Sequence, residues 1–192
     1  MRRFLTAPAQ VIGPRLLGAV LTTDFAGVET SVALTEVEAY SSDDPASHSY
    51  RGRTPRNASM FGPPGTLYVY RSYGIHWCMN VTTGPAGEAS ALLLRAGVPR
   101  IGRETMAFRR GREDHLVDGP GKLTQALGVT GDHDGIDLLD PASPIRLSPG
   151  TPLPSEATPR IGISRATDVL WRWVAVGPVL SPSPETESDE PD

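Results

Sequence analysis

Glu36 and Glu38 alternate with Tyr40 in the stretch Thr35-Glu36-Val37-Glu38-Ala39-Tyr40, and a carboxylate carried on such a stretch can take a proton from water. Tyr68 and Tyr70 lie two apart, so in a strand they share one face while Leu67, Val69 and Arg71 take the other. A flat aromatic wall results. Tyr73 precedes Gly74, the residue most able to take positive φ, so the chain reverses around Arg71-Ser72-Tyr73-Gly74 and leaves Tyr73 at the tip. An aromatic held at an exposed turn gains little from folding, whereas stacked nucleic-acid bases can receive it as a wedge. Arg95 interrupts the apolar run Ser90–Ala96, and a guanidinium entering from a buried strand requires an anion or a polar network. His48 acquires meaning beside these groups. A base for water, stacking faces for a flipped ring and a wedge for its vacancy are what hydrolysis of a base from a sugar needs.

Other chemistries find little support. The sequence lacks H-E-x-x-H, G-x-S-x-G, a dinucleotide G-x-G-x-x-G after a strand, and H-x-E with P-C-x-x-C. Gly119-Pro120-Gly121-Lys122-Leu123 resembles a phosphate loop only superficially, because the first glycine and the Ser or Thr after lysine are missing. Cys78 is the only cysteine, which excludes an intramolecular disulfide and a Cys-rich metal site and leaves a small packed side chain. Neither a metal nor a cofactor is expected.

The net charge of -4 conceals an uneven distribution. Ser181 to Asp192 holds five of the 22 acids and no base, so residues 1–180 carry 18 bases against 17 acids. Those last residues bury almost nothing and read as a disordered, solvating acidic tail after a single domain over 1–180. Arg51, Arg53, Arg56 and Arg71 are interleaved with Tyr50, Tyr68, Tyr70 and Tyr73, a mixture suited to a phosphate backbone beside stacked bases. A solvated basic loop would read similarly. No apolar run approaches the roughly 18 residues of a membrane span, and no signal-peptide core follows Met1-Arg2-Arg3, so a cytoplasmic protein is expected.

The elements that must position these groups are short, since 20 Gly and 19 Pro break the chain frequently. Thr6 is placed to cap a first helix closed by Gly18 and strained by Pro14. Ala19–Thr23 and Val28–Tyr40 read as a hairpin, in which strict alternation puts Val32, Leu34, Glu36, Glu38 and Tyr40 on one face. A 25-residue loop, Ser41 to Gly65, carries His48, Tyr50, Met60 and Phe61, and a loop that long is either functional or disordered. Pro99–Arg110 reads as a helix with Ile101, Met106 and Phe108 available to the core, and Lys122–Leu127 as a second helix stopped by Gly128. Ile136–Leu139, Pro144–Leu147, Arg160–Ile163 and Trp171–Val176 read as short strands.

Thr35 to Val81, read with LLLRAGVPRIG, GPGKLTQALG and PRIGI, closely resembles the alkyladenine (3-methyladenine) DNA glycosylases of the mammalian type, which also occur in bacteria. The resemblance covers most of residues 15–175. It implies an α+β fold: a single domain with a curved antiparallel β-sheet, flanking short helices and long loops. It also implies a bacterial, nucleoid-associated monomer acting on double-stranded DNA that contains a damaged purine, by base-excision without metal or cofactor. Glu38 matches the family's general base, and Arg95 the arginine near the attacking water and target phosphate. Tyr40, His48 and Tyr70 match the base-sandwiching pocket, Asn80 the residue that crowds the exocyclic amine of guanine, and Tyr73 the intercalating residue. Departures are Pro14 and the Val169–Trp173 run, which bear on what the resemblance implies for the C-terminal wall of the site and not on the chemistry. N3- and N7-alkylated purines are cationic, so stacking on electron-rich rings would favour them by about 0.5–2 kcal/mol. The alternatives are a non-catalytic damaged-DNA-binding module of the same fold, which Glu38 argues against, and a hydrolase of free nucleosides, which Tyr73 argues against.

Overall fold

The computed structural model describes residues 1–177, and the acidic tail expected from Ser181 lies outside them. Helices α1 (Arg2–Leu5) and α2 (Ala9–Leu16) open the chain. Thr6 does not cap the second of these: its hydroxyl donates to the Arg3 carbonyl at 2.8 Å and closes α1, and Pro8 precedes α2. Pro14 falls in the last turn of α2, where its missing N–H forfeits a single intrahelical bond. Ala9, Ile12 and Leu16 are buried on one side of this helix. A Cβ on Gly13 would lie 2.3 Å from the Trp173 ring, so glycine is what lets the indole pack on the helix.

Eight strands form one curled antiparallel sheet. These are β1 (Val20–Phe25), β2 (Val28–Ser41), β3 (Leu67–Ser72), β4 (His76–Thr82), β5 (Ser90–Ile101), β6 (Ile145–Ser148), β7 (Ser155–Thr158) and β8 (Arg172–Ala175). The order is β3-β4-β5-β2-β1-β6, with β8 pairing both β2 and β7. β1 and β2 join through Ala26 and Gly27, both at positive φ, as a tight hairpin turn requires.

The expected alternation along β2 fails at one point, and that point builds the site. Leu34 pairs with Gly97, Glu36 with Ala96 and Val37 with Leu94, so Thr35 on β2 and Arg95 on β5 have no ladder partner. Each extra residue is a bulge, and beyond it inward and outward positions exchange. Val32 and Leu34 therefore share the main core with Val37 and Ala39, while Glu36, Glu38 and Tyr40 turn to the opposite face. Here β2 also changes its other neighbour, from β1 at Ala33 to β8 at Glu36.

The core covers one face of the sheet, with Leu67, Val69, Met79, Val81, Leu92 and Leu94 in one cluster with Met106, Leu123, Ala126 and Leu127. Those last four come from or adjoin α3 (Arg103–Arg110) and α4 (Pro120–Ala126). The helix expected over Pro99–Arg110 is thus shorter. Residues 99–101 extend β5, Gly102 turns the chain at φ 73°, and the helix buries Met106 and Ala107. Phe108 falls on the outer side and is 88% exposed. Ile136–Leu139 forms only a bridge between Asp137 and Thr66, Arg160–Ile163 is a loop, and β7 went unpredicted because Ser155-Glu156-Ala157-Thr158 carries no apolar alternation.

Candidate active site

On the face opposite the core, the strands present Tyr40 from β2, Tyr70 from β3, Cys78 and Asn80 from β4, and Leu93 and Arg95 from β5. They line a cavity of about 450 Å³ with His48, Arg56, Met60, Tyr68, Arg71, Tyr73, Pro120 and Ile161 to Ile163. The tyrosines obey the expected alternation: Tyr68 and Tyr70 face this cavity, while Leu67 and Val69 enter the core.

The long loop is ordered from within. A short 3₁₀ turn, Pro55–Phe61, begins at Thr54, whose N–H donates to Asn57 Oδ1 at 2.7 Å. Buried Asn57 returns two bonds through Nδ2, to the carbonyls of His48 at 2.9 Å and Gly52 at 3.1 Å. This anchors His48. Its Nδ1 lies 3.0 Å from the Tyr68 hydroxyl, and its ring meets Tyr70 edge-on at 4.5 Å between centroids. Tyr68 and Tyr70 stack at 5.6 Å. Burial, reinforced by the charge of Arg56, holds His48 below its ordinary value, so the ring is neutral near pH 7. Burial pushes the Tyr68 phenol up to about 12 and raises Tyr70 and Tyr40 as well, so all three stay protonated. Asn80 donates through Nδ2 to the Tyr68 carbonyl at 3.1 Å, which fixes its amide plane.

Glu38 is completely buried and accepts three hydrogen bonds. The Ile161 N–H donates to Oε1 at 2.8 Å, while the Tyr40 hydroxyl at 2.9 Å and Arg95 Nη1 at 3.2 Å donate to Oε2. The carboxylate lies behind Tyr40, Arg95 and Ile161 and is not itself part of the cavity lining. Arg95 also donates through Nε to Glu36 Oε1 at 2.8 Å, and Arg172 Nε donates to the same oxygen at 2.8 Å. Burial alone would lower Arg95, but Glu38 and Glu36 together raise it. The anion that an in-strand arginine demands is therefore a pair of carboxylates, brought to it by the two facing bulges.

Tyr73 stands at the tip of the β3–β4 hairpin, at φ 50° and 88% exposed. Gly74 follows at φ 70°, and the Ile75 N–H donates to the Ser72 carbonyl at 3.0 Å. Ile75 is also well exposed, an apolar neighbour of the tip that sequence reasoning missed. Arg56 and Arg71 meet at the cavity rim, where Arg56 Nη2 donates to the Arg71 carbonyl at 3.1 Å and Arg71 lies over Trp77. Arg51 and Arg53 are exposed on the loop and do not line the cavity. None of these four arginines pairs with a carboxylate among the described residues.

Sequence reasoning also missed Glu36 as a partner of Arg95, the Ile161 backbone donor, Arg172, and the buried Asp44–Arg160 pair. The signals were there in part: an acid two residues from Glu38, and arginines beside Pro159 and Trp171. What joins them is long-range pairing that local patterns do not carry. Among the described residues no group of three or more His, Cys, Asp or Glu is arranged to hold a metal, and no helix is long and apolar enough to cross a membrane.

A family model described as methylpurine-DNA glycosylase (MPG) matches residues 3–178. A protein of Rhodopseudomonas palustris (strain BisB18) named "Putative 3-methyladenine DNA glycosylase" is 51% identical over 175 residues, covering 90% of this chain and 84% of its own. Relatives with the same name from Nocardia farcinica and Nitrosospira multiformis are 50% and 46% identical, covering 87% and 86% of this chain and 83% and 85% of their own. With nearly its whole described length matched, this chain belongs to the methylpurine-DNA glycosylase family.

Proposed function

We propose that the protein is a DNA-repair glycosylase that flips a damaged purine out of duplex DNA and hydrolyses its N-glycosidic bond with water activated by Glu38. The observation that carries this reading is the buried Glu38–Arg95–Tyr40 cluster directly behind an aromatic cavity whose rim bears an exposed tyrosine. Tyr40, His48 and Tyr70 take the faces of the flipped ring, Asn80 sits on the cavity wall where it can crowd an exocyclic amine, and Tyr73 fills the gap left in the stack. Arg56 and Arg71 at the rim, with Arg51 and Arg53 farther out, bind the phosphate backbone. Arg95 fixes the carboxylate and offers positive charge toward the phosphate of the flipped nucleotide.

Water is the only nucleophile assigned. A glycosylase that also cuts the strand needs a desolvated amine to form a Schiff base with the sugar. Lys122, the only lysine, is part-exposed and paired with Asp118 at 2.9 Å, and it does not line the cavity. Met1 lines a different cavity, beside Arg146 and Leu147. The products are then free base and an intact abasic strand, formed by a monomer.

The test is to incubate the protein with duplexes carrying one damaged purine each and to measure released base, with free nucleosides as controls. Release from duplex but not from nucleoside is expected. Tight binding to damaged duplex without release would instead establish a binding module, and release from free nucleoside would establish a nucleosidase.

A further inference from the structure

The cavity face of Tyr40 has a counterpart that the proposed chemistry leaves unused. Arg160 has a completely buried side chain, does not line the cavity, and places its guanidinium carbon 4.7 Å from the centre of the Tyr40 ring. Tyr40 lines the cavity, so the cation covers the ring's rear. Trp171 closes on the same guanidinium at 5.3 Å. Asp44, equally buried, accepts hydrogen bonds from both terminal nitrogens, Nη2 to Oδ1 at 3.1 Å and Nη1 to Oδ2, while Nη1 also donates to the Ala39 carbonyl at 2.9 Å. Nη2 also donates to the Ala166 carbonyl at 3.5 Å, and among the described residues the buried Nε–H meets no acceptor. A guanidinium anchored by Asp44 and backbone carbonyls and enclosed by two aromatic rings also sets its charge on those rings.

A cation on one face of an aromatic ring draws its π density away from the other. Stacking on Tyr40 is then weaker for a positively charged purine than it would be on an isolated tyrosine, whereas a neutral purine loses little. The cavity reinforces this bias, since Arg56, Arg71 and Arg95 line it and among the described residues no Asp or Glu does. We propose that Arg160, held behind Tyr40 and partly neutralised by Asp44, is a specificity-determining residue that restrains the pocket's preference for cationic over neutral purines. The inference rests on the glycosylase reading and corrects the simple expectation that electron-rich rings alone select alkylated bases.

Asp44 and Arg160 act in opposite senses, which separates this role from a merely structural one. The measurement is the single-turnover release of 7-methylguanine, which is cationic, and of hypoxanthine, which is neutral, from otherwise identical duplexes. Each variant is scored by the ratio of the two rates relative to the unsubstituted protein, which cancels the different strengths of the two glycosidic bonds. Arg160→Met removes the rear cation and should raise the ratio by about threefold to tenfold, less than the roughly thirtyfold of an uncompensated desolvated cation–π contact because Asp44 partly neutralises the charge. Asp44→Asn leaves the cation without its counter-charge and should lower the ratio. The double substitution Asp44→Asn, Arg160→Met buries no charge, so it serves if a single variant fails to fold, and it should also raise the ratio. Arg160→Lys, which keeps the charge, should return the ratio toward that of the unsubstituted protein. Equal loss on both lesions in every variant, or ratios moving the same way in Asp44→Asn and Arg160→Met, would overturn the proposal. Failure of the unsubstituted protein to release either base would instead overturn the glycosylase reading beneath it.

Discussion

Replacing Glu38 with glutamine tests the chemistry most directly, and the structure sets how much else the change disturbs. The carboxylate receives the Ile161 N–H on one oxygen and Tyr40 and Arg95 on the other. An amide oxygen directed at Ile161 keeps the first bond and turns its NH₂ toward the other two donors. The Tyr40 hydroxyl can rotate and accept from that NH₂, whereas Arg95 has only hydrogens to offer. One charge-assisted bond is lost, worth about 1.5–3 kcal/mol, while Arg95 retains Glu36 at 2.8 Å. Removing a buried carboxylate also relieves its desolvation, which offsets part of the loss. The expected destabilisation is therefore about 1–2 kcal/mol, well within the roughly 5–15 kcal/mol of an ordinary domain. Loss of a positioned general base should slow release about 10²- to 10⁴-fold. At 1.36 kcal/mol per decade this is about 3–5 kcal/mol of barrier, clearly larger than the folding effect. Single-turnover release from a hypoxanthine duplex gives the rate, anisotropy on the same duplex gives the affinity, and thermal melting gives the stability. The expected outcome is a folded protein that binds damaged duplex almost normally and does not excise. Release within tenfold of the unsubstituted rate would refute Glu38 as the base, and parallel loss of binding and release would show that its role is structural.

Tyr73→Ala should leave the melting temperature unchanged, because the ring is almost fully exposed, yet weaken binding to a duplex lesion by about 1–3 kcal/mol. Binding to the same lesion in a bulge should change much less, and equal losses on both would refute the wedge. His48 titrates below its ordinary value in the folded chain, so the unfolded chain binds the proton more readily; the stability it contributes is complete above about pH 6.5 and is lost as pH falls below that value. Melting temperatures measured from pH 8 to 5 should accordingly fall less for His48→Asn than for the unsubstituted protein, and parallel curves would contradict the buried neutral imidazole. Lys122→Ala should keep full release of base, and borohydride should trap no covalent protein–DNA adduct with or without the substitution; an adduct lost in Lys122→Ala would make the enzyme a lyase.

The aromatic wall was legible in the sequence because the β3–β4 hairpin is regular: six consecutive pairs, from Leu67–Val81 to Ser72–His76, preserve the alternation that separates Tyr68 and Tyr70 from Leu67 and Val69. The tip was legible because Tyr73-Gly74 supplies the turn chemistry locally. Strand β2 was misread for a related reason. Its apolar residues change phase at the consecutive polar pair Thr35-Glu36, from Val32 and Leu34 to Val37 and Ala39, and reading the strand as one unbroken alternation passed over that signal; the pairing with β5 and β8 identifies Thr35 as the extra residue. Phe108 misled because an aromatic near helical spacing reads as core, while the left-handed turn at Gly102 delays α3 and rotates that side chain outward. The Glu38, Tyr40, Tyr70 and Arg95 cluster was recognisable through the motifs that contain it, yet Arg160 and Arg172 reach it from a loop and a strand far away in sequence, and Asp44, though only four residues after Tyr40, gains its role from Arg160.

The two bulges also account for the electrostatics of the cluster. Regular alternation would have sent Glu36 and Glu38 into the face occupied by Val32 and Leu34, where two carboxylates would have to be neutralised or unfold the strand. Turned outward beside Arg95 and Arg172, they form a balanced array of two acids and two bases in which Glu36 accepts from both arginines. Arg95 is thereby shared, and Glu38 receives only one of its nitrogens, at 3.2 Å, longer than the 2.8 Å to Glu36. That asymmetry suits the proposed base. Arg95 holds Glu38 through one nitrogen on one oxygen, so the carboxylate is positioned without being clamped bidentately. Glu36 draws Arg95 away from Glu38 and Arg172 steadies Glu36, so the stability of the network and the placement of its proposed base are set by the same displaced residue in each of two strands.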